Sequence, residues 1–90
     1  MSTPLVTSFG IAVRQAREAQ GWSQERLAEY SDLNRSYVGE IERGRVIASL
    51  LTVEKLASSL GVQPSALVMR GEAVAHDQLV RGLRLAAIAC

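Results

Sequence analysis

The sequence predicts an all-α domain, and its composition, periodicity and punctuation all support this. Aromatic residues make up 4% of the chain, whereas the helix-forming residues Ala, Leu, Glu, Gln and Arg are frequent. Apolar residues recur at spacings of three and four, which is typical of amphipathic helices. Gly, Pro, Ser and Asn divide the chain into short segments. With 90 residues, 48% hydrophobic and 21% charged, one small domain with a single core is expected.

The first two helices are bounded by capping residues and a glycine. Thr7 or Ser8 can cap the first helix, and Gly21 can end it. Ser23 can cap a second helix over residues 24–31. The residues expected to face inward are Ile11, Val13 and Ala16 in the first helix and Leu27 and Ala28 in the second.

A short third helix is predicted after the turn Asp32-Leu33-Asn34. It spans residues 35–43, with Asn34 as its cap and Gly44 marking its end. Val38 and Ile41 lie three apart on its inner face. The residues left on its outer face are Arg35, Ser36, Tyr37, Gly39 and Glu40.

The fourth helix is the most amphipathic segment of the chain. Ser49 can cap it and Gly61 can end it. Its apolar residues, spaced by three and four, are Leu50, Val53, Leu56, Ala57 and Leu60. Pro64 suits the first turn of a short fifth helix. That helix carries Ala66, Leu67 and Val68.

Residues 71–90 follow the fifth helix without a repeat or a low-complexity linker. The segment is alanine-rich and helix-prone, but Gly82 interrupts it. Its apolar side carries Leu79, Val80 and Leu83. It is expected to be either a sixth helix or a partly ordered tail, extending the domain formed by residues 8–70.

The charge balance is weak for a nucleic-acid-binding protein. The net charge is +1 and the pI is near 8.0. Affinity for DNA comes largely from Lys and Arg that neutralise phosphates. DNA binding would therefore require the basic residues to be concentrated on one face.

The composition argues against an enzyme, a metal site or a membrane protein. The single cysteine, Cys90, can form no intrachain disulfide, and the single histidine, His76, lacks partner ligands. A catalytic Ser/His/Asp or Cys/His set and a phosphate loop are missing, so no cofactor or small-molecule ligand is expected. No run approaches the roughly 18 apolar residues of a membrane-spanning helix. A soluble, cytoplasmic protein is expected.

Residues 24–43 have the layout of a helix-turn-helix, the scaffold that presents side chains to the major groove of DNA. Ala28 is small enough for the two helices to approach closely, and Leu33 fills the turn. Val38 and Ile41 anchor the helix after the turn to the core. That helix, with its outer face free, is the expected recognition helix.

In these residues the chain resembles the phage-repressor/Cro-type (XRE) helix-turn-helix family. The resemblance is carried by Ser23–Ala28, Leu33–Val38 and Ile41–Gly44, by Arg17 and Gly21 upstream, and by Ser49, Leu50, Val53, Leu56, Ala57 and Leu60–Val62 downstream. A match over five ordered helices is more specific than a lone motif, and it implies a lambda-repressor-like domain. The turn departs from the family pattern at Asp32, where Gly is usual, but Asp tolerates a left-handed backbone better than most residues.

The resemblance implies DNA contacts from the starts of both helices. Gln24 is placed on a phosphate, toward which its backbone N–H also points. Arg35 and Ser36 are placed on base edges, with Arg35 pairing with guanine O6 and N7, so a site containing G·C pairs is expected. Glu40 either accepts from a cytosine amino group or holds Arg35 or Arg43 in a surface ion pair. The other candidate phosphate contacts are Asn34, Tyr37, Arg43 and Arg45.

Several residues near the motif have structural interpretations. The resemblance implies that Arg17 pairs with Glu42 and fixes the first helix on the third, which excludes both from DNA contact. Tyr37 is equally consistent with half-buried packing against the second helix. Trp22 is expected to cap the core partially rather than to stack on bases. His76 is expected to be a solvated tail residue.

A homodimer on a palindromic operator is expected, because one recognition helix contacts only a few base pairs. The apolar residues available for its interface are Leu67, Val68 and Met69 in the fifth helix and Leu79, Val80 and Leu83 in the tail. The alternative is that they close the core of the monomer, above all Leu67. A dimer role is favoured for the tail, because five helices already complete the family fold.

The resemblance implies a transcriptional regulator. The small size and the start of the recognition helix are similar to controller proteins of restriction-modification systems and to regulators of mobile elements. Such a protein represses its promoter, or activates it by touching RNA polymerase, and associates with the nucleoid when bound to DNA. The alternative is an antitoxin that neutralises a toxin and autoregulates, with residues 71–90 as the surface that binds the toxin.

Overall fold

Five helices make up the computed structural model over its described residues, which are 4–89 for the backbone and 4–83 for the side chains. The helices are α1 (Pro4–Ala19), α2 (Gln24–Ser31), α3 (Arg35–Glu42), α4 (Leu50–Leu60) and α5 (Pro64–Ala89). The prediction of an all-α fold is confirmed. Cys90 lies outside the described residues.

Three of the predicted N-caps are confirmed. The Ser23 hydroxyl accepts a hydrogen bond from the Arg26 backbone N–H at the start of α2. The Asn34 side-chain oxygen accepts from the Ser36 N–H at 2.8 Å, and the Ser49 hydroxyl accepts from the backbone N–H of the third residue of α4 at 3.1 Å. Each cap satisfies one of the amide donors that a helix start leaves free.

The predicted start of α1 is wrong. The helix begins at Pro4, one turn before the expected caps Thr7 and Ser8. Ser8 is buried inside the helix, where its hydroxyl donates to the Leu5 carbonyl at 3.3 Å. Proline favours a first turn because its fixed φ suits the helix and its missing N–H has no partner to lose there.

The expectation that the segment after residue 70 can be helical is confirmed as far as Ala89, but this helix is not a separate sixth one. Residues after 70 continue α5 as one helix of 26 residues. Gly71 lies where α5 crosses α1, and a Cβ at this position would come within 3.0 Å of the Phe9 Cα. Gly82 has open space around it, and α5 continues through it despite its cost of about 1 kcal/mol relative to Ala.

The core lies between α1, α2, α3 and α4 and is closed by the first turns of α5. The largest fully buried apolar side chains are Val13, Leu27, Val38, Ile41, Leu56 and Leu67. Two expectations need correction here. Leu67 is buried in this core and is therefore not available for a dimer interface, and Leu50, expected on the inner face of α4, is 87% exposed. Phe9, which was not among the residues expected to face inward from α1, is also buried.

Among the described residues, the helices lack the combination of length and hydropathy that crossing a membrane would require.

Candidate nucleic-acid interface

The turn between α2 and α3 is set by one left-handed residue. Asp32 has φ 53° and ψ 48°, and it is the one residue other than glycine with a positive φ among those described. The backbone N–H of Leu33 then donates to the Ala28 carbonyl at 2.9 Å, and the Leu33 side chain packs against the core. The turn therefore fixes the angle at which α3 leaves α2.

A hydrogen-bonded ion pair joins α1 to the end of α3. Arg17 donates from Nε to Glu42 Oε2 at 2.7 Å and from Nη2 to Oε1 at 3.0 Å. The same guanidinium donates from Nη1 to the Trp22 carbonyl at 2.7 Å. The side chains are 12% and 2% exposed. The hydrogen bond to Glu42 raises the pKa of Arg17 above its ordinary value, even though burial acts to lower it.

Gln24, the first residue of α2, joins this network. Its side-chain Nε2 donates to Glu42 Oε1 at 2.9 Å. The Glu42 carboxylate therefore holds Arg17 and Gln24 together, so the start of α2 is fixed relative to α3. The sequence pointed to the Arg17–Glu42 pair through the family resemblance, but nothing in it indicated that Gln24 would share the carboxylate.

The first turn of α3 presents Arg35 and Ser36 on the outer face, both exposed. A shallow concave surface runs along this face beside the start of α2. It is lined by Gln24, Arg35, Ser36, Gly39 and Arg43. The structure thus brings together expected contacts from both helices of the motif on one surface.

Gly39, expected to be exposed, is buried, and this expectation is corrected. A Cβ at Gly39 would lie 3.2 Å from Nη1 and 3.3 Å from Nη2 of Arg43. The Arg43 guanidinium therefore covers the helix backbone at this position. Arg43 Nη2 also donates to Glu40 Oε1 at 3.1 Å, which places Glu40 in the ion pair that formed one of its two expected roles.

The other candidate phosphate contacts lie around this surface. Asn34 is exposed at the start of α3, and Arg45 is exposed just beyond its end. Tyr37 is half-buried against the core, and its hydroxyl lies 3.2 Å from Thr52 Oγ1. The structure gives the Tyr37 ring a packing role between α3 and α4.

Trp22, whose carbonyl accepts the hydrogen bond from Arg17, packs against the core. Its ring makes an edge contact with Tyr30, with centroids 4.9 Å apart. The Trp22 ring therefore has a packing role. His76 is exposed on α5.

Several apolar residues of α4 and α5 are exposed. Met69, Leu79 and Leu83 are between 63% and 64% exposed, and Val68 and Val80 are half-buried. An apolar groove between α4 and α5 is lined by Leu50, Val53, Glu54, Pro64, Ser65, Val68 and Met69. The sequence did not indicate that Leu50 lines this groove, because Leu50 lies three residues before Val53 and so fits the spacing of the inner face of α4.

Comparison with protein families shows that residues 13–67 match the helix-turn-helix family model, HTH_3. The chain is 48% identical over 61 residues to the control protein C.BamHI of Bacillus amyloliquefaciens, covering 67% of this chain and 75% of that relative. It is 38% identical over 71 residues to the immunity repressor protein of Bacillus phage phi105, covering 79% of this chain and 49% of that relative. The chain therefore spans about half the length of the phage repressor.

The solved structures similar to this chain are also those of regulators and controller proteins. The restriction-modification controller protein C.AhdI of Aeromonas hydrophila superposes with a TM-score of 0.68 at 47% identity, covering 69% of this chain and 94% of that one. The clp gene regulator ClgR of Corynebacterium glutamicum superposes with a TM-score of 0.84 at 26% identity, covering 93% of this chain and 88% of that one. With 93% of the chain covered, the likeness to ClgR includes most of α5.

Proposed function

The chain belongs to the helix-turn-helix family of transcriptional regulators, and from this membership we propose that it binds a palindromic DNA operator as a homodimer. One observation carries the proposal. The outer face of α3 presents an exposed arginine and an exposed serine at its first turn, on a surface shared with the start of α2. Side chains at the start of a recognition helix are those that reach base edges in the major groove.

Arg35 and Ser36 are the base-contacting residues in this proposal. Arg35 has the two-pronged donor geometry that pairs with guanine O6 and N7. Asn34 Oδ1 accepts the hydrogen bond that caps α3, which leaves the amide N–H groups of Asn34 to donate to a phosphate. Gln24 donates one amide hydrogen bond to Glu42, and a primary amide has a second N–H to offer a phosphate. Arg45 extends the phosphate contacts past the end of α3.

The homodimer in this proposal is formed by the apolar residues of α4 and α5. They comprise Leu50, Val68, Met69, Leu79, Val80 and Leu83. A second copy is the occupant that the DNA requires, because a palindrome presents the same half-site twice, about one helical turn apart. None of these residues lines the concave surface formed by α3 and the start of α2, so a dimer formed through them leaves that surface free.

The test is selection of bound sequences from random duplex DNA, carried out with the natural chain and with Arg35→Ala. The natural chain is expected to select an inverted repeat that contains G·C pairs. Arg35→Ala is expected to lose the preference at one base pair in each half-site, at a cost of about 1–3 kcal/mol. Arg70 is an exposed arginine of α5, outside the recognition face. Arg70→Ala therefore serves as the matched control and should select the natural motif. Selection of no motif by the natural chain would contradict the proposal.

A further inference from the structure

We propose that Arg43 is a second base-contacting side chain of α3, seated over Gly39 and positioned by Glu40. This inference rests on the proposed DNA-binding function and changes two of the assignments expected from the sequence. Arg43 was expected to contact a phosphate, and Glu40 was expected either to contact a base directly or to hold an arginine. Here the arginine contacts the base and the glutamate holds it.

The first observation is the position of the Arg43 guanidinium. Both of its terminal nitrogens lie within 3.3 Å of the point where a Cβ of Gly39 would be. Gly39 belongs to the outer face of α3, one turn after Arg35, and yet it is buried. The guanidinium therefore occupies the space that a side chain at position 39 would fill on the recognition face.

The second observation is the direction of the Arg43 side chain. Arg43 caps the C-terminal end of α3, and an arginine there that extended away from the helix would reach the DNA backbone. Helical side chains lean toward the helix N-terminus, and Arg43 follows this rule by reaching back one turn to Gly39. Its guanidinium is thereby moved roughly 6 Å along the helix, toward Arg35 and Ser36.

The third observation is the partner that holds the guanidinium. Glu40 Oε1 accepts a hydrogen bond from Arg43 Nη2 at 3.1 Å. The two side chains are 36% and 49% exposed, so the ion pair adds little to stability, but it limits the conformations that Arg43 can adopt. A guanidinium has five N–H donors in a planar fork, so this bond leaves enough donors for guanine O6 and N7.

The arrangement depends on all three residues. A side chain at position 39 that extends beyond Cβ would compete with the guanidinium for the same space. A lysine at position 43 would keep the charge but could not donate to Glu40 and to both acceptors of guanine in one plane. The recognition face therefore has two arginines, with the Arg43 guanidinium beside Gly39, which follows Arg35 by about one helical turn. Each half-site is expected to contain a second G·C pair near the one that Arg35 contacts.

The experiment compares sequence selection and salt dependence for the natural chain, Arg43→Lys and Gly39→Ala. Arg43→Lys keeps the positive charge, so a phosphate contact would survive it with the same motif. As a base contact, Arg43→Lys is expected to lose roughly tenfold to a hundredfold in the preference for guanine at one position, with an unchanged slope of log affinity against log salt. Gly39→Ala places a methyl group 3.2 to 3.3 Å from both terminal nitrogens of Arg43, so the guanidinium must shift by a few tenths of an ångström, and the preference at that same position is expected to weaken. Arg70→Lys, the same change on α5, is the matched control.

The positioning role of Glu40 is tested with a double-mutant cycle. Glu40→Ala is expected to reduce the preference at the position that Arg43 contacts, and to have no further effect when Arg43→Lys is already present. Additive losses would show that Glu40 contacts DNA independently. Gly39→Ala replaces glycine inside a helix, which favours the helix, so loss of folding does not explain its effect. Circular dichroism of each variant verifies this.

Two failures can be told apart. If the natural chain selects no motif, the proposed function itself is wrong, and the inference falls with it. If the natural chain and Arg35→Ala behave as proposed but Arg43→Lys selects the natural motif with the natural base preferences, Arg43 is a phosphate contact and only this inference is overturned.

Discussion

At the scale of single residues, the Glu42 carboxylate is the group on which the geometry of the interface depends. It accepts hydrogen bonds from Arg17 in α1 and from Gln24 in α2, while its own backbone belongs to α3. Three helices are therefore fixed by one buried side chain. Losing one member of a buried pair is costly because it leaves the other charge without a partner.

We expect Glu42→Ala to lower the free energy of unfolding by about 3 kcal/mol, because it leaves the Arg17 guanidinium largely buried without its carboxylate. Urea denaturation at neutral pH measures this change. The matched control is Glu18→Ala, which breaks the exposed i,i+4 pair with Arg14 and should change stability by less than about 0.5 kcal/mol. Equal effects in the two variants would show that the buried pair has no special weight.

The same network has a defined dependence on pH. The pKa of Arg17 is raised in the folded state, so its contribution to stability is fully present below the pKa of the unfolded chain and is lost only as pH rises through the folded value. The pKa of Arg17 lies well above neutral pH in both the unfolded and the folded state. Stability curves measured near neutral pH should therefore show no loss assignable to Arg17.

At the scale of the elements, the turn between α2 and α3 depends on backbone conformation more than on contacts. Asp32 adopts φ 53°, which L-residues other than Asn and Asp rarely do. Its carboxylate is fully exposed, 3.9 Å from Lys55 Nζ, which is a weak contact. Glycine at this position would relieve backbone strain, and alanine would increase it.

We therefore expect Asp32→Gly to raise the free energy of unfolding by up to about 1 kcal/mol and Asp32→Ala to lower it by a similar amount. Both variants remove the carboxylate, so the difference between them reports the backbone alone. Chemical denaturation of the pair provides the measurement. A difference near zero would mean that Asp32 is not strained.

α5 shows why the boundaries of this element were not predicted. Gly71 and Gly82 have the same intrinsic effect on a helix; in the sequence analysis, Gly71 begins the segment expected after the fifth helix and Gly82 interrupts it. In the fold, Gly71 allows α5 to approach Phe9 of α1 closely. The packing of α5 on α1 at this point stabilises the helical conformation on both sides of the glycine. Helical structure on both sides of Gly71 was predictable, whereas its continuity depended on α1.

At the scale of the whole molecule, the shape follows from α5. The principal extents are 48 × 26 × 22 Å, and a helix of 26 residues is about 39 Å long. α5 is therefore longer than either short dimension of the molecule, and its last turns extend past the core. Leu79 and Leu83 are exposed in this extension.

We expect Leu79→Asp to weaken self-association at least tenfold in sedimentation experiments, because it places a charge in the proposed apolar interface. Operator binding should become correspondingly dependent on protein concentration. The neighbouring Gln78→Asp adds the same charge on a different side of α5 and serves as the control. Leu50→Asp tests the groove between α4 and α5 in the same way. Unchanged association in both leucine variants would contradict the proposed dimer surface.

The sequence by itself determined the helical class, the order of the elements, most of the caps and the position of the helix-turn-helix. These features depend on local preferences, such as Ser23 and Asn34 as N-caps, and on apolar spacing within one helix. The family resemblance added the roles expected of Arg35 and Ser36. None of this required knowing which helices meet.

Only the tertiary structure decided which side chains are shared between elements. It buried Leu67, exposed Leu50, placed Gln24 on the carboxylate of Glu42, and laid Arg43 over Gly39. Periodicity identifies the apolar face of a helix but not how far a neighbouring helix covers it. It also cannot show the direction of a long polar side chain, because that depends on which space and which partner the packed fold leaves available.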